Sequence, residues 1–398
     1  MRHRKILPLA APLQGRCFVK LPVFYEDGHF RTEVTISSQK VHLLVDTGSV
    51  SFHVVARNYF KDSCGPHLKN CYKLSPATKR ALENSKEEGS YTKTYHRLVY
   101  DMRPMNGTIQ LTGHAKPYKT EMSFHVVVRA WTREDQVEEG AKPAAILGLG
   151  PPRQGANSFL DQLVEHGIIK DEERVFTLML PPSNTENGEL IIGNRQRRNA
   201  SDLGALLHLP IYQRTPQHKR RWEVVLASIS VVSATYVRTE QAALLDSGCP
   251  FIFGPPNRVE ELISSVIEQA RLKKGEGVVK WSTSGYYWLK CDDAKYLPDL
   301  HLDFAAERSG ADSRLTISGR YLTKELPVAG HDSRCKLALK PRNRDYWVLG
   351  VPLFRGRDVH FDFRTGKLGL TLSREKTSDK DLWAFEQTLQ PGLEAIFV

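Results

Sequence analysis

The sequence predicts an all-β protein built from two copies of one lobe about a pseudo-twofold axis, with a few short helices. Three observations predict it. First, a short pattern occurs twice: Asp46-Thr47-Gly48-Ser49 follows the largely apolar run 41–45, and Asp246-Ser247-Gly248-Cys249 follows Ala243-Leu244-Leu245. Second, each copy is answered at nearly the same distance: Gly148 of Ala145-Ile146-Leu147-Gly148 lies 102 residues after Asp46, and Gly350 of Trp347-Val348-Leu349-Gly350 lies 104 residues after Asp246. Self-similarity at a fixed long spacing marks a duplicated unit. Third, most segments between these points are rich in Val, Ile, Phe and Tyr and are cut short by turn residues, which is strand composition.

Taken in order, residues 1–17 carry a basic start, Met-Arg-His-Arg-Lys, and a short apolar stretch interrupted by Pro8 and Pro12. They read as the remnant of a signal or pro-segment. Strands at 17–24, 30–37 and 41–45, separated by Glu26-Asp27-Gly28 and Ser38-Gln39, form a meander that delivers Asp46 to a tight turn. Residues 61–90 are polar and read as surface loop. In the next β-region, 95–128, Arg103-Pro104-Met105-Asn106-Gly107 is strong hairpin punctuation, so 95–112 is expected to project as a hairpin. After Gly150 a helix is capped by Asn157 or Ser158, buries Phe159, Leu160, Leu163 and Val164, and stops at Gly167. A longer helix opens at Pro255-Pro256, places Val259, Leu262, Ile263, Val266, Ile267 and Ala270 on one face and ends before Gly275. The expected lobes are 18–200 and 201–372. A C-terminal extension, 373–398, has Leu382, Trp383, Phe385, Leu389 and Leu393 spaced to pack against the body as an amphipathic helix.

A chain of 398 residues buries enough surface to fold without metal or disulfide staples. The net charge of +11 and the pI near 9.3 admit an anionic partner, but the basic residues are dispersed, with short clusters only at 195–198 and 218–221. No aromatic-basic motif accompanies them, so a solvated basic surface is expected and no nucleic acid. The six cysteines, at 17, 64, 71, 249, 291 and 335, include no Cys-x-x-Cys pair and lie near no histidine at ligand spacing. No metal and no cofactor are expected. Cys64 with Cys71 and Cys291 with Cys335 would close loops in an oxidising compartment, although spacing alone leaves the connectivity open. The sequons at Asn106 and Asn199 agree with a secretory route. No apolar run reaches the length of a membrane-spanning helix.

An acid set on a turn at the end of a buried strand is commonplace; two of them in equivalent places of a duplicated fold are not. A pseudo-twofold axis brings the two turns together at the lobe junction. Two carboxyls about 3 Å apart cannot both ionise, so they share a proton. One then takes a proton from a water held between them while the other polarises a carbonyl. Thr47 and Ser247 are suited to lock the turns together, and Gly48 and Gly248 let backbone N–H groups approach the carboxylates.

These residues, with Val45, Leu245, Leu297-Pro298-Asp299 and Val359-His360-Phe361-Asp362, make the chain resemble the pepsin-like aspartic proteases from about residue 18 to 372. The resemblance implies a bilobal fold with an interlobe cleft for an extended peptide. It implies Asp46 and Asp246 as catalytic dyad, supported by Thr47, Gly48, Ser49, Ser247, Gly248 and Cys249. It also implies the disulfides Cys64–Cys71 and Cys291–Cys335, and a flap at 95–112 carrying Tyr100, Asp101 and Met102. There are departures. His53 stands where the family has Trp, with a Tyr100–His53 hydrogen bond as the expected replacement. Asp101, Met102 and Arg103 replace flap glycines, and Cys249 replaces a hydroxyl residue, which removes one hydrogen bond to its aspartate. The function expected is therefore an aspartic endopeptidase acting on polypeptide, monomeric and without a transmembrane segment, in the secretory pathway or a lumenal or vacuolar compartment. The alternative is a catalytically weak or inactive relative that binds peptides or proteins.

Overall fold

In a computed structural model the described residues are 18–371, except 62–63, 65–68, 85–90, 96–97, 112–117, 133–141, 152–157, 182–186, 194–205, 213–220, 232–233, 236–239, 276, 283–285, 306–313 and 327–333. The N-terminal segment, Asn157, Asn199, the basic run at 195–198 and the C-terminal extension lie outside them. The first half contains β1 (Val19–Glu26), β2 (His29–Ile36), β3 (Gln39–Asp46), β4 (Phe52–Val55), α1 (Pro76–Asn84), β5 (Tyr91–Tyr95), β6 (Leu98–Leu111), β7 (Tyr118–Thr132), β8 (Ile146–Gly148), α2 (Phe159–Glu165), β9 (Val175–Met179) and β10 (Gly188–Ile192). The middle of the chain adds β11 (Leu206–Pro210), β12 (Glu223–Val231), β13 (Ala234–Thr235), β14 (Gln241–Leu245), β15 (Ile252–Gly254), α3 (Pro256–Lys274), β16 (Lys280–Ser282), β17 (Tyr286–Lys290) and β18 (Leu300–Phe304). Then come β19 (Arg314–Ile317), β20 (Thr323–Leu326), β21 (Arg334–Leu337), β22 (Leu339–Pro341), β23 (Trp347–Leu349), α4 (Val351–Phe354), β24 (Asp358–Asp362) and β25 (Lys367–Thr371). No described helix is long and apolar enough to cross a membrane.

The duplication is visible as a repeated crossing of strands. In the first copy β3 runs parallel to β8, pairing Val45 with Leu147 and Asp46 with Gly148, while β4 crosses β8 antiparallel. In the second, β14 runs parallel to β23, pairing Leu245 with Leu349, and β15 crosses β23 antiparallel. The matched glycines close each crossing because nothing larger fits. A Cβ on Gly148 would lie 2.4 Å from the Ser51 nitrogen, and one on Gly350 would lie 2.2 Å from the Cys249 carbonyl oxygen. Parallel strands buried on both sides explain why these runs read as continuously apolar.

The two crossings lie in different sheets, β3, β8 and β4 in one of 13 strands and β14, β23 and β15 in one of eight. The larger sheet runs in the order β11-β25-β24-β9-β10-β1-β2-β3-β8-β4-β7-β6-β5, so β24 of the second half pairs with β9 of the first and joins the two. Phe176 of β9 stacks on Phe361 of β24 at 4.5 Å, and the fully buried Trp222 packs edge-on against Phe361 and donates to the Leu149 carbonyl at 2.8 Å. The helices follow their local signals. Ser158 caps α2 in a capping box with Asp161, and α3 opens at Pro256 and buries Val259, Leu262, Ile263, Val266 and Ala270. Cys64–Cys71 and Cys291–Cys335 are disulfide-bonded, and Cys249 is a free thiol.

The hairpin differs from expectation. Arg103 to Gly107 make no turn; they lie inside β6, which pairs with β7 along its whole length. On its other edge β6 meets β5 only up to Met102 and β2 only from Ile109, so Pro104 sits where the strand has a single partner and its missing N–H costs no ladder bond. Gly107 is there for room: a Cβ would meet Ser37 Oγ at 2.7 Å and the Phe124 ring at 3.1 Å. The antiparallel hairpin pair here is β5 with β6, in register from Tyr91–Met102 to Tyr95–Leu98.

Candidate active site

Asp46 ends β3, Asp246 directly follows β14, and the lobe junction sets the two turns face to face. A reciprocal lock holds them from below. Thr47 Oγ1 donates to the Leu245 carbonyl at 2.9 Å and accepts from the Ser247 N–H at 2.9 Å; Ser247 Oγ donates to the Val45 carbonyl at 2.7 Å and accepts from the Thr47 N–H at 3.1 Å. Both side chains are essentially buried, so none of the four bonds competes with water. The glycines show how tightly the turns meet. A Cβ on Gly48 would sit 2.5 Å from the Asp246 carboxylate, and one on Gly248 would sit 2.7 Å from that of Asp46. Each glycine is the floor under the opposite acid.

The support of the two acids is unequal. Asp46 accepts from the Gly48 N–H at 2.8 Å on one oxygen and from Ser49 Oγ at 2.6 Å on the other. Asp246 accepts from the Gly248 N–H at 3.0 Å, while the Cys249 thiol turns away and donates to the Phe251 carbonyl at 3.2 Å. Burial pushes the Asp246 carboxyl well above the usual carboxylate range. The charge of Asp46 and a hydrogen bond between the two acids push it further, against the Gly248 N–H and Arg221. The site thus favours the protonated form of Asp246. Burial, and then the Asp246 charge, also hold the Cys249 thiol far above its ordinary value, so no thiolate is available there.

His53, on β4, is fully buried, and burial pushes its pKa down to about 3, so the ring is neutral. Its Nε2 donates to the Ala144 carbonyl and its Nδ1 accepts from Ser51 Oγ, both at 3.0 Å, a tautomer dictated by the carbonyl partner. The expected Tyr100–His53 hydrogen bond is not made. The rings meet edge to face at 5.7 Å, and Tyr100 instead accepts from the Ala144 N–H at 3.1 Å. With both ring nitrogens already partnered, His53 has nothing left for Tyr100.

Tyr100 is buried, its hydroxyl pushed up to about 12 by that burial, and Met102 is completely enclosed in the core; a bulge between Asp101 and Met102 sets this phase. Asp101 is half-buried beside Arg103, at 3.6 Å. Tyr95 ends β5, paired with Leu98. Its ring lies 5.4 Å from His53 and 4.9 Å from Tyr100, and its buried hydroxyl is raised well above the ordinary tyrosine range, first by burial and against the nearby Ser51 hydroxyl. The sequence carries a signal for this strand in the alternation Tyr91-Thr92-Lys93-Thr94-Tyr95.

A family model described as "Eukaryotic aspartyl protease" matches residues 29–373. Among curated proteins, an aspartic protease of Phaffia rhodozyma is 24% identical over 345 residues, covering 84% of this chain and 74% of its own. Cathepsin D of Bos taurus is 22% identical over 377 residues, covering 87% and 85%. Cathepsin D of Canis lupus familiaris is 25% identical over 237 residues, covering 58% of this chain and about half, 52%, of its own length. With the model spanning most of the fold described above, the chain belongs to the eukaryotic aspartyl protease family.

Proposed function

We propose that the protein is an active aspartic endopeptidase that hydrolyses extended polypeptide in the cleft between its lobes. The observation that supports this most is the geometry of the pair: two acids set face to face by the Thr47–Ser247 lock, with the Asp246 carboxyl raised well above the usual range by burial and by Asp46 beside it. A water held between them gives its proton to Asp46 as its oxygen attacks the scissile carbonyl, whose oxygen accepts a hydrogen bond from Asp246. The tetrahedral intermediate then collapses, with the leaving nitrogen protonated from the dyad. The two carboxyls supply the acid and the base, and the lock beneath them keeps both in reach of one water. The β5–β6 hairpin serves as the flap, and the two disulfides suit an oxidising secretory, lumenal or vacuolar compartment. A monomer suffices, because one chain supplies both acids.

The test is cleavage of a denatured protein substrate between about pH 3 and 7, the range over which carboxyl pairs titrate. Turnover in the acid range that is blocked by a statine-type mimic and abolished by Asp246→Asn is the expected result. Tight binding of the mimic with no turnover at any pH would replace this reading with that of a catalytically silent peptide-binding relative. The Cys249 departure, which leaves Asp246 with one donor fewer than Asp46, is the observation that favours that second reading.

A further inference from the structure

The net charge of +11 has one place of concentration beside the dyad. In the four-stranded sheet of the second half, β20 and β21 pair so that Lys324 lies directly opposite Lys336. Like charges facing across an antiparallel pair are destabilising. The Nζ of Lys336 lies 4.1 Å from the centre of the Tyr286 ring and that of Lys340 lies 3.9 Å from it. Lys324 stands 6.0 Å over Phe251, and Arg342 stands 5.5 Å over Phe253. Phe251 packs against both Phe253 and Tyr286, so the cations share one aromatic bed.

Among the described residues no carboxylate comes within 4.0 Å of Lys324, Lys336, Lys340 or Arg342. Asp27, in the β1–β2 turn, is the nearest opposing charge felt by Lys324, and it is outweighed: burial, then Lys336, push the Lys324 ammonium down. Lys324 also touches His29, at 3.4 Å, and the buried neutral imidazole adds no negative charge. All four cations are partly open to solvent, as are Phe251 and Tyr286.

This wall adjoins the dyad. Phe251 and Cys249 pack against the same cluster of Leu244, Phe253 and Val348. The Cys249 thiol, which donates to the Phe251 carbonyl, feels Arg342 as well as both aspartates, and His29 lies beside the Gly248 carbonyl. Aromatic faces offset a cation only weakly at exposed sites, so a half-open wall of four such groups is a surface short of anions. We propose that Lys324, Lys336, Lys340 and Arg342 receive carboxylate side chains of the polypeptide segment lying over Cys249 and Phe251, so that the cleft selects acidic peptides. This rests on the reading of the cleft as a peptide-binding site, and the acidic segment supplies the carboxylates that these cations lack among the described residues.

The test uses fluorogenic peptides with Glu or Gln at each successive position on both sides of the scissile bond, assayed near pH 5.5, where free glutamate is mostly ionised. At one or two adjacent positions Glu is expected to beat Gln in kcat/KM by on the order of tenfold, the size of two solvent-facing ion pairs acting together. The ratio should shrink as salt is raised. Lys336→Gln with Lys340→Gln should bring it close to one, and Lys340→Glu should turn the preference toward Lys at that position, a gain that misfolding cannot imitate. Binding of the same labelled peptides to the Asp46→Asn protein gives a readout without turnover. Glu-selective binding by that variant with no cleavage by the wild type would sink the protease reading and keep the wall. Cleavage with equal Glu and Gln ratios at every position would overturn the wall and keep the protease.

Discussion

The two halves of the dyad share a chain trace but not a hydrogen-bond count. Below the acids the copies are interchangeable: Thr47 and Ser247 make the same pair of bonds in opposite directions, and each glycine backs the other acid. Above the acids they part. Ser49 gives its hydroxyl to Asp46, whereas Cys249, at the same point of the second turn, gives its thiol to a backbone carbonyl. Geometry is therefore set by what the copies keep in common, and the number of donors to each acid by what they do not. A sulfur donor that points away costs the fold little, yet it removes from Asp246 the group that would have stabilised its charge.

Breaking the acids themselves should have the largest effect. Asp46→Asn and Asp246→Asn should each lower kcat by about a thousandfold or more in the peptide assay, because acid and base act on one water. Only the second should also stabilise the protein. Asp246 has a raised carboxyl, so the folded state binds its proton more tightly than the unfolded chain does. Its contribution is fully present below about pH 4, the range of an ordinary aspartate, and is lost as pH rises toward the raised value. Asp246→Asn removes that loss, so thermal melts should show a higher Tm at neutral pH, with the gain vanishing near pH 3. An equal gain from Asp46→Asn would undo the asymmetry.

The glycines should come next and should not discriminate. Gly48→Ala and Gly248→Ala each drive a methyl into the opposite carboxylate, and a comparable loss of about a hundredfold in kcat is expected from displacing either acid. A large difference between them, with both variants folded by circular dichroism, would mean that the lock is less symmetric than its four bonds indicate.

The hydroxyl and the thiol should then separate the halves. Ser49→Ala removes a charge-assisted bond worth roughly 1.5–3 kcal/mol. The dyad's single negative charge becomes harder to form, and the acid limb of the pH–activity profile should move upward by about one pH unit or more. Cys249→Ser should act on the other limb: a hydroxyl turned toward Asp246 would ease its ionisation and lower the basic limb by a few tenths of a pH unit. Cys249→Ala should leave the profile where it was, since the thiol makes no bond to the acid. A basic limb that moves upward in Cys249→Ser would show that the thiol had been aiding Asp246.

The repeated turns and the glycine-ended strands were legible because each is a local signal, written into a few adjacent residues and then written again. The hairpin was not, for the opposite reason. Pro104 and Asn106-Gly107 carry the punctuation of a turn, but their tolerance inside β6 depends on where β5 stops and β2 begins, facts held by residues far away in sequence. His53 misled in the same manner. That it would lie against Tyr100 was readable, but its partners Ser51 and Ala144 compete with Tyr100 only once β4 and β8 have paired. The basic wall beside Cys249 was invisible as a wall, because its members at 324, 336, 340 and 342 come together only through the registers of two sheets.

The shared 13-stranded sheet has a consequence for how the chain comes to exist. Strand β9 is flanked by β10 and by β24, and β24 begins at Asp358, near the end of the described chain. While the protein emerges from the ribosome, the apolar stretch Val-Phe-Thr-Leu-Met of β9 stays an open edge until the chain as far as β24 has been made. The lobe bearing Asp46 therefore waits on β24 of the other half for its closure, and the nascent chain carries a sticky edge until that strand arrives.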